Sequence, residues 1–397
     1  MNARIHPELS VTPEARTEDD FSLPGWIYWD REFFELERQA IFRKCWHLVC
    51  HVSDVPTAGD FQTLNVINES ILTVRGNDGQ LRSFHNVCRH RASRLVDGTH
   101  GNCGRLIVCP YHAWSYATDG RLVGVPMRAN YPGLDTKQYG LAPIEQEIWR
   151  GFVFVRFAPG LPSVQDQMGV YADELASAPF EDLKPLGPAR LQTRKVNWKN
   201  VADNYSDGLH IPVSHPGLTR IFGKSYRVEA KEWVDKMSGE LMDEPSPRTA
   251  ERMYQKLIRD MAPQTASVPT WSYYKLWPNV AIELYPDQID FMQFVPVSPT
   301  ETTLRYINYG LSDDRREMRA ARYLNWRINR LVNLEDKALI ERVQDGMGSS
   351  SYTFGPLGQD EVCLRSFARR MRALFPECRE PQAPPRGWSG RRSNWPH

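Results

Sequence analysis

Two cysteines and two histidines fall in two short clusters within NVCRHRASRLVDGTHGNCGRLIVCPYHAW, residues 86–114. They read Cys88-x-His90 and, after eighteen intervening residues, Cys109-x-x-His112. Each cluster offers one thiolate and one imidazole. A [2Fe–2S] centre of the Rieske type needs this donor set, because two Cys hold one iron while two His replace thiolates on the other. Exchanging anionic thiolate for neutral imidazole raises the reduction potential by roughly hundreds of millivolts, which suits the centre to feeding O2 chemistry. Structural zinc is the rival for two Cys and two His. Zinc sites pair Cys with Cys and His with His on separate loops, whereas both loops here are mixed. Cys103 and His100 fit neither half of the pattern and belong to the connecting segment.

A second constellation lies in NWKNVADNYSDGLHIPVSHPGL, residues 197–218, which holds His210 and His215, two of the chain's ten histidines. Asp203, Asp207 and His210 stand at i, i+4 and i+7, so they share one face if the run is helical. Pro212 makes regular helix difficult to continue, and His215 then enters from the following turn. Two imidazoles at such a break can bind one metal ion; a packed or solvated pair is the alternative. Non-haem Fe(II) oxygenases use two His and one carboxylate on one face of the iron, leaving open positions, so a distant carboxylate is required. In NRLVNLEDKALIERVQDGM, Asp336 shares a helical face with Val332, Ile340 and Val343, and an acid on an apolar stripe is costly unless paired or metal-bound. Glu335, one position round, is expected to point toward Lys337 and the polar side. A surface Asp on an amphipathic helix is the other reading.

The surrounding pattern predicts the elements that must carry these residues. DREFFELERQAIFRK, residues 30–44, has helical spacing and reads as an entry helix. From Trp46 to about Pro159, short apolar runs alternate with the hairpin signals Asp78-Gly79 and Asp119-Gly120, predicting a small β domain. Ala158 to Pro162 reads as a linker. Helical pieces follow around 163–176 and 198–210, then an antiparallel meander from Trp271 to Leu311 and a long helix from about Arg315 to Met347. The expected division is 1–45, the N-terminal helical part of the large domain; 46–159, the cluster domain; 160–378, the mononuclear-iron domain; and 379–397, a flexible tail rich in Pro, Arg, Gly and Ser.

A chain of 397 residues with 41% hydrophobic content and 12 Trp can bury a large core. Lys plus Arg number 49 against 48 Asp plus Glu, a balance that argues against nucleic acid as the main partner. No run approaches the roughly 18 apolar residues of a membrane span, and the N-terminus lacks the apolar stretch of a signal peptide, so a soluble cytoplasmic protein is expected. The cysteines outside the cluster, Cys45, Cys50, Cys103, Cys363 and Cys378, are expected to be reduced thiols.

CRHRA and CPYHAW resemble the two cluster loops of Rieske non-haem iron oxygenases, the family that includes the alpha subunits of aromatic ring-hydroxylating dioxygenases. LEDKALIERVQ resembles the segment that carries their carboxylate iron ligand. Many members have Gly where this chain has Ala92 and Ala113, which raises a question of local backbone geometry. The resemblance implies an α+β fold, with a small all-β Rieske domain inserted in a larger helix-grip (START-like) domain built on an antiparallel sheet. It implies a [2Fe–2S] cluster on Cys88, His90, Cys109 and His112, and mononuclear Fe(II) on His210, His215 and Asp336. Electrons would come from NAD(P)H through a ferredoxin or flavin reductase. It further implies that Asp207 bridges the cluster of one subunit to the iron of its neighbour, running from His112 of one chain to His210 of the next. A homotrimer follows, with or without small subunits.

The activity so implied is that of a terminal oxygenase using O2 to hydroxylate a small aromatic substrate or to remove N- or O-methyl groups. Some of Tyr273, Leu276, Ile282, Leu284, Phe291 and Phe294 could line an apolar pocket suited to a small aromatic molecule, with Arg305 or Lys275 able to face it; aromatic stripes on strands more often belong to the core, and that is the other reading. The alternatives are a Rieske-type electron carrier, which would need no second metal site, and a non-catalytic binder of hydrophobic ligands.

Overall fold

The structure, a computed structural model, describes residues 17–261 and 268–391. The entry segment starts where the Asp30 carboxylate accepts the Phe33 N–H at 2.7 Å, capping the helix Arg31–Glu37. A π-helical turn, Arg38–Phe42, extends it. Its buried side presents Phe33 and Phe42, which meet Phe375 and Trp198 edge-on at 5.1 and 5.0 Å. Burying the face therefore joins the start of the chain to the helix Val362–Leu374 near its end. The tail expected to be flexible from residue 379 is packed over its described part. Trp388 is buried against Trp26, and Ser389 donates to Glu32 at 2.7 Å. Aromatic burial outweighs the Pro- and Gly-rich composition there; residues 392–397 lie outside the described part.

The small domain consists of three antiparallel sheets. One is four-stranded, in the order Leu81–His85, Glu69–Arg75, Asp60–Val66, His100–Asn102. One is the meander Leu106–Val108, Ser115–Ala117, Leu122–Gly124. The third pairs His47–His51 and Glu145–Trp149 with Phe152–Arg156. Both Asp-Gly signals are hairpin turns, with Gly79 and Gly120 at φ of 79° and 94°, a region that Gly enters without steric cost.

The large domain is an eight-stranded antiparallel sheet. The meander predicted from 271 to 311 is its centre: Thr270–Leu276, Val280–Leu284, Ile289–Ser298 and Glu301–Gly310. Arg190–Arg194 pairs with the last of these. One face packs on the small domain, where Phe152 meets Phe291 at 4.2 Å. The other face is covered by the 32-residue helix Arg316–Met347, tied along its length by polar contacts: Asn325 to Asp287 at 3.2 Å, Tyr306 to Asn333 at 2.7 Å, and the Asn197 N–H to Gln344 at 2.7 Å. Among the described residues no helix is long and apolar enough to cross a membrane.

Candidate metal centres and substrate cavity

The two cluster loops are copies of one turn. In the first, Ala92 N–H bonds the Cys88 carbonyl at 3.1 Å and Cys88 N–H bonds the Ser93 carbonyl at 2.8 Å. In the second, Ala113 bonds Cys109 at 3.0 Å and Cys109 bonds Trp114 at 2.9 Å. Closing the turn requires left-handed backbone at the fourth residue after each Cys, and Ala92 and Ala113 have φ of 56° and 55°. This explains the preference for Gly there, and shows that Ala keeps the geometry at some strain.

The turns bring His90 and His112 to a ring separation of 4.6 Å, with Trp114 stacked on His90 at 4.8 Å. Cys88 and Cys109 are buried beside each other. The Nδ1 atoms of both histidines are buried with no hydrogen-bond partner. Such orphans are rare in folded proteins, and two of them beside two buried thiols are the donor set a [2Fe–2S] cluster requires. Burial pushes both thiols up; at Cys109 the backbone N–H groups of Tyr111 and His112, with Cys88 and Ser93, outweigh it and lower the pKa, whereas Cys88 stays raised by burial and by Cys109, so the first thiolate of the pair forms on Cys109. Tyr116, which the sequence did not single out, accepts the Arg89 N–H at 3.0 Å, so its own proton is directed to the Cys88 sulfur at 3.3 Å.

The second centre is assembled from two distant segments. The helix Trp198–Ser206 ends at Asp207, whose backbone is extended at φ −81°, ψ 128°. Asp203, Asp207 and His210 therefore do not share a helical face as the spacing suggested. The Asp207 carboxylate instead accepts the N–H groups of Leu209 at 2.8 Å and His210 at 3.2 Å, a local bond that competes with helix. Asp203 turns away to accept from Tyr28 at 2.9 Å.

The turn presents His210 and His215 with their Nε2 atoms 3.1 Å apart. Asp336 Oδ1 lies 3.0 Å from His215 Nε2 and 3.6 Å from His210 Nε2. Donors about 2.1 Å from one ion and at right angles lie about 3.0 Å apart, so the three atoms fit one face of an octahedral ion. The other ring nitrogens are held by carboxylates: His210 Nδ1 by Asp207 at 2.9 Å and His215 Nδ1 by Glu335 at 2.8 Å. That arrangement leaves the two Nε2 atoms turned toward Asp336, as a shared metal ion would require. The outward orientation expected of Glu335 is thus incorrect. The helix turn that aims Asp336 at the histidines also brings Glu335 over the back of His215. Burial opposes charge on His210, but bonds to Asp207 and Asp336 prevail and raise its pKa to about 9. Burial likewise raises Asp336, while His210 and His215 pull it below its ordinary value overall. The site favours positive charge.

Beside it opens a cavity of about 320 Å³. Of the six residues offered as cavity wall or core, Tyr273 lines it, and the core reading holds for the rest. Leu276, Ile282 and Phe291 pack on the other sheet face, Leu284 flanks that cluster, and Phe294 belongs to the central core. Strands buried on both faces carry apolar residues on each, so periodicity could not say which set met the cavity. Arg305 and Lys275 do not reach it. Arg305 donates to the carbonyls of Leu48 and Val49, and Lys275 pairs with Asp235 at 3.0 Å.

The cavity wall instead contains Glu283 and Asp290, directly opposite each other on adjacent strands. Both are buried. Glu283 accepts from Tyr205 and Tyr285, each at 2.8 Å, and Asp290 from Gln288 at 2.8 Å. Among the described residues neither pairs with Lys or Arg. Burial, and for Asp290 also the charge of Glu283, raises both carboxyls. Tyr205, Tyr226, Tyr273, Tyr285 and Tyr306 complete this wall.

A mixed Cys/His pair of loops on a small β domain, joined to a sheet-and-helix domain with a two-His, one-carboxylate pocket, defines an iron–sulfur oxygenase. Residues 45–140 match the Rieske [2Fe–2S] domain and residues 176–377 the ring hydroxylating alpha subunit (catalytic domain). The chain belongs to this family of Rieske non-haem iron oxygenases, whose members use a [2Fe–2S] cluster, mononuclear iron and electrons from a partner reductase. It is 32% identical over 363 residues to the carnitine monooxygenase oxygenase subunit of Escherichia coli (strain K12), covering 88% of this chain and 91% of the relative. It is 36% identical over 220 residues to the glycine betaine monooxygenase oxygenase subunit of Pseudomonas aeruginosa (strain UCBPP-PA14), covering 54% and 50%. A quaternary ammonium Rieske monooxygenase in complex with L-carnitine superposes with a TM-score of 0.75 at 25% identity, over 91% of this chain and 99% of that one. Naphthalene 1,2-dioxygenase shares the fold at a TM-score of 0.74 and 21% identity, over 90% and 93%.

Proposed function

We propose that this chain is the terminal oxygenase of a system that hydroxylates a carbon bonded to the nitrogen of a quaternary ammonium compound. The observation that carries the reading is the buried Glu283–Asp290 pair with no cationic partner among the described residues, walled by tyrosines. Like charges directly opposite on a sheet are destabilising, and buried acids need a counter-charge. An organic cation supplies it, and tyrosine faces attract such a cation by their quadrupoles. The names of the carnitine and glycine betaine relatives agree. The aromatic substrate expected from the sequence would leave both acids without a counter-charge.

Cys88, His90, Cys109 and His112 would hold the [2Fe–2S] cluster, and His210, His215 and Asp336 the mononuclear iron, which supplies O2 activation. Asp207 would link His210 to a neighbouring subunit's cluster, which requires a ring of at least two chains and fits the trimer expected above. The reaction consumes O2, two electrons and two protons, places OH on the carbon and releases water. The hydroxylated carbon then loses its bond to nitrogen, giving a tertiary amine, an aldehyde and a proton.

In this reading Glu283 and Asp290 orient the ammonium group, and the tyrosines exclude water. Glu283→Gln, which keeps the shape and still accepts from one tyrosine while its amide donates to the other, is expected to raise KM for the cation about 10-fold or more with both metals loaded, as checked by amine release. An unchanged KM would sink the cation site. Since both carboxyls are raised, acidification protonates them, so affinity should fall as pH drops.

A further inference from the structure

The same cavity is also lined by positive charge. Three arginines border it. Arg190 and Arg330 are exposed, but Arg194 is only 7% exposed. A guanidinium is always charged and carries five donors. In the described structure Arg194 uses two of its nitrogens, one to Gln192 Oε1 at 2.8 Å and one to the Thr193 carbonyl at 3.4 Å. No carboxylate among the described residues pairs with it. Gln192, two residues along the same strand and on the same face, steadies the guanidinium beside the cavity it also lines. A buried charge with neutral acceptors alone is expensive, which parallels the two acids of the same cavity that have no cationic partner among the described residues. Tyr306, also in the cavity wall, is near enough to both kinds of charge that its hydroxyl feels Arg194, Glu283 and Asp336 together.

We infer that Arg194 is the receptor for a carboxylate on the substrate, so that the cavity selects zwitterions whose ammonium lies toward Glu283 and Asp290 and whose acid lies toward Arg194. This rests on the cation reading above. It makes Arg194 a specificity-determining residue, with Gln192 positioning it.

The test is calorimetric titration of the metal-loaded enzyme under anaerobic conditions, with gamma-butyrobetaine and with butyltrimethylammonium, which replaces the carboxylate by a methyl group. Wild type should bind the zwitterion about 10–100-fold more tightly. Arg194→Met should erase that preference by weakening gamma-butyrobetaine alone, and Arg194→Lys should restore part of it. Equal weakening of both ligands, or of neither, in Arg194→Met would overturn the assignment. Wild type binding both ligands equally would remove the carboxylate receptor and leave the cation site standing. Wild type binding neither would defeat the cation site and this inference with it. Should Arg194→Met not fold, Gln192→Leu, which frees the guanidinium, must still narrow the preference; an unaltered preference there counts against the proposal.

Discussion

The cluster loops and the proposed iron pocket would hold metal in opposite ways. The loops repeat one turn twice, each closed by its own backbone hydrogen bonds, and they lie within one small β domain. The pocket brings His215 to an acid 121 positions away, and depends on the long helix lying correctly across the sheet. A local turn holds its donors wherever the backbone can adopt it. A pocket built from distant parts fixes its donors only through packing, and its supporting carboxylates, Asp207 and Glu335, belong to that packing. The contrast extends to charge: the candidate cluster donors sit among backbone amides, whereas the candidate iron donors sit among carboxylates.

The most damaging change should fall on the distant part. Asp336→Ala is expected to abolish product formation and to lower iron from about three to about two atoms per chain, with the low-temperature EPR signal of the reduced cluster unchanged. A variant that kept all its iron would hand the ligand role to Glu335 and weaken the contrast. Asp207→Ala should retain both metals, because Asp207 supports His210 from behind, yet lose about 100-fold or more in turnover; single-turnover kinetics separate this from iron loss, and normal rates would remove the bridging role. Tyr116→Phe acts on the local side only. Losing the hydroxyl bond to the Cys88 sulfur removes stabilisation of the reduced, more negative cluster, so its potential should drop by roughly 20–60 mV, measured by redox titration, while mononuclear iron stays constant. The smallest effect is Ala92→Gly, which relieves left-handed strain but frees the unfolded chain. A net gain of about 0.5–1 kcal/mol should raise the unfolding midpoint of the loaded protein by about 1–2 °C.

Legibility in the sequence followed the same division. The mixed Cys/His loops, the two Asp-Gly turns, the meander and the long helix are all written in short-range patterns, and the structure contains each of these elements. His210, His215 and Asp336 could be named from residue type, a helix break and an apolar stripe, and the structure brings them together. Glu335 was misplaced because an angular step of one residue on an ideal helix says nothing about what leans over it. Glu283, Asp290 and Arg194 were passed over for a different reason. A charged residue inside a strand is legible as polar, but whether it is buried, and without an opposite charge, depends on the neighbouring strands.

The sequence by itself therefore named the candidate donors and the local turns that display them, since thiolate, imidazole and carboxylate chemistry and backbone strain at Ala92 and Ala113 are properties of residues and their near neighbours. Only the tertiary structure decided the character of the cavity. Which sheet face met the small domain and which met the helix is set by global packing, and that choice put two acids and an arginine, rather than the apolar strand residues, beside the iron site.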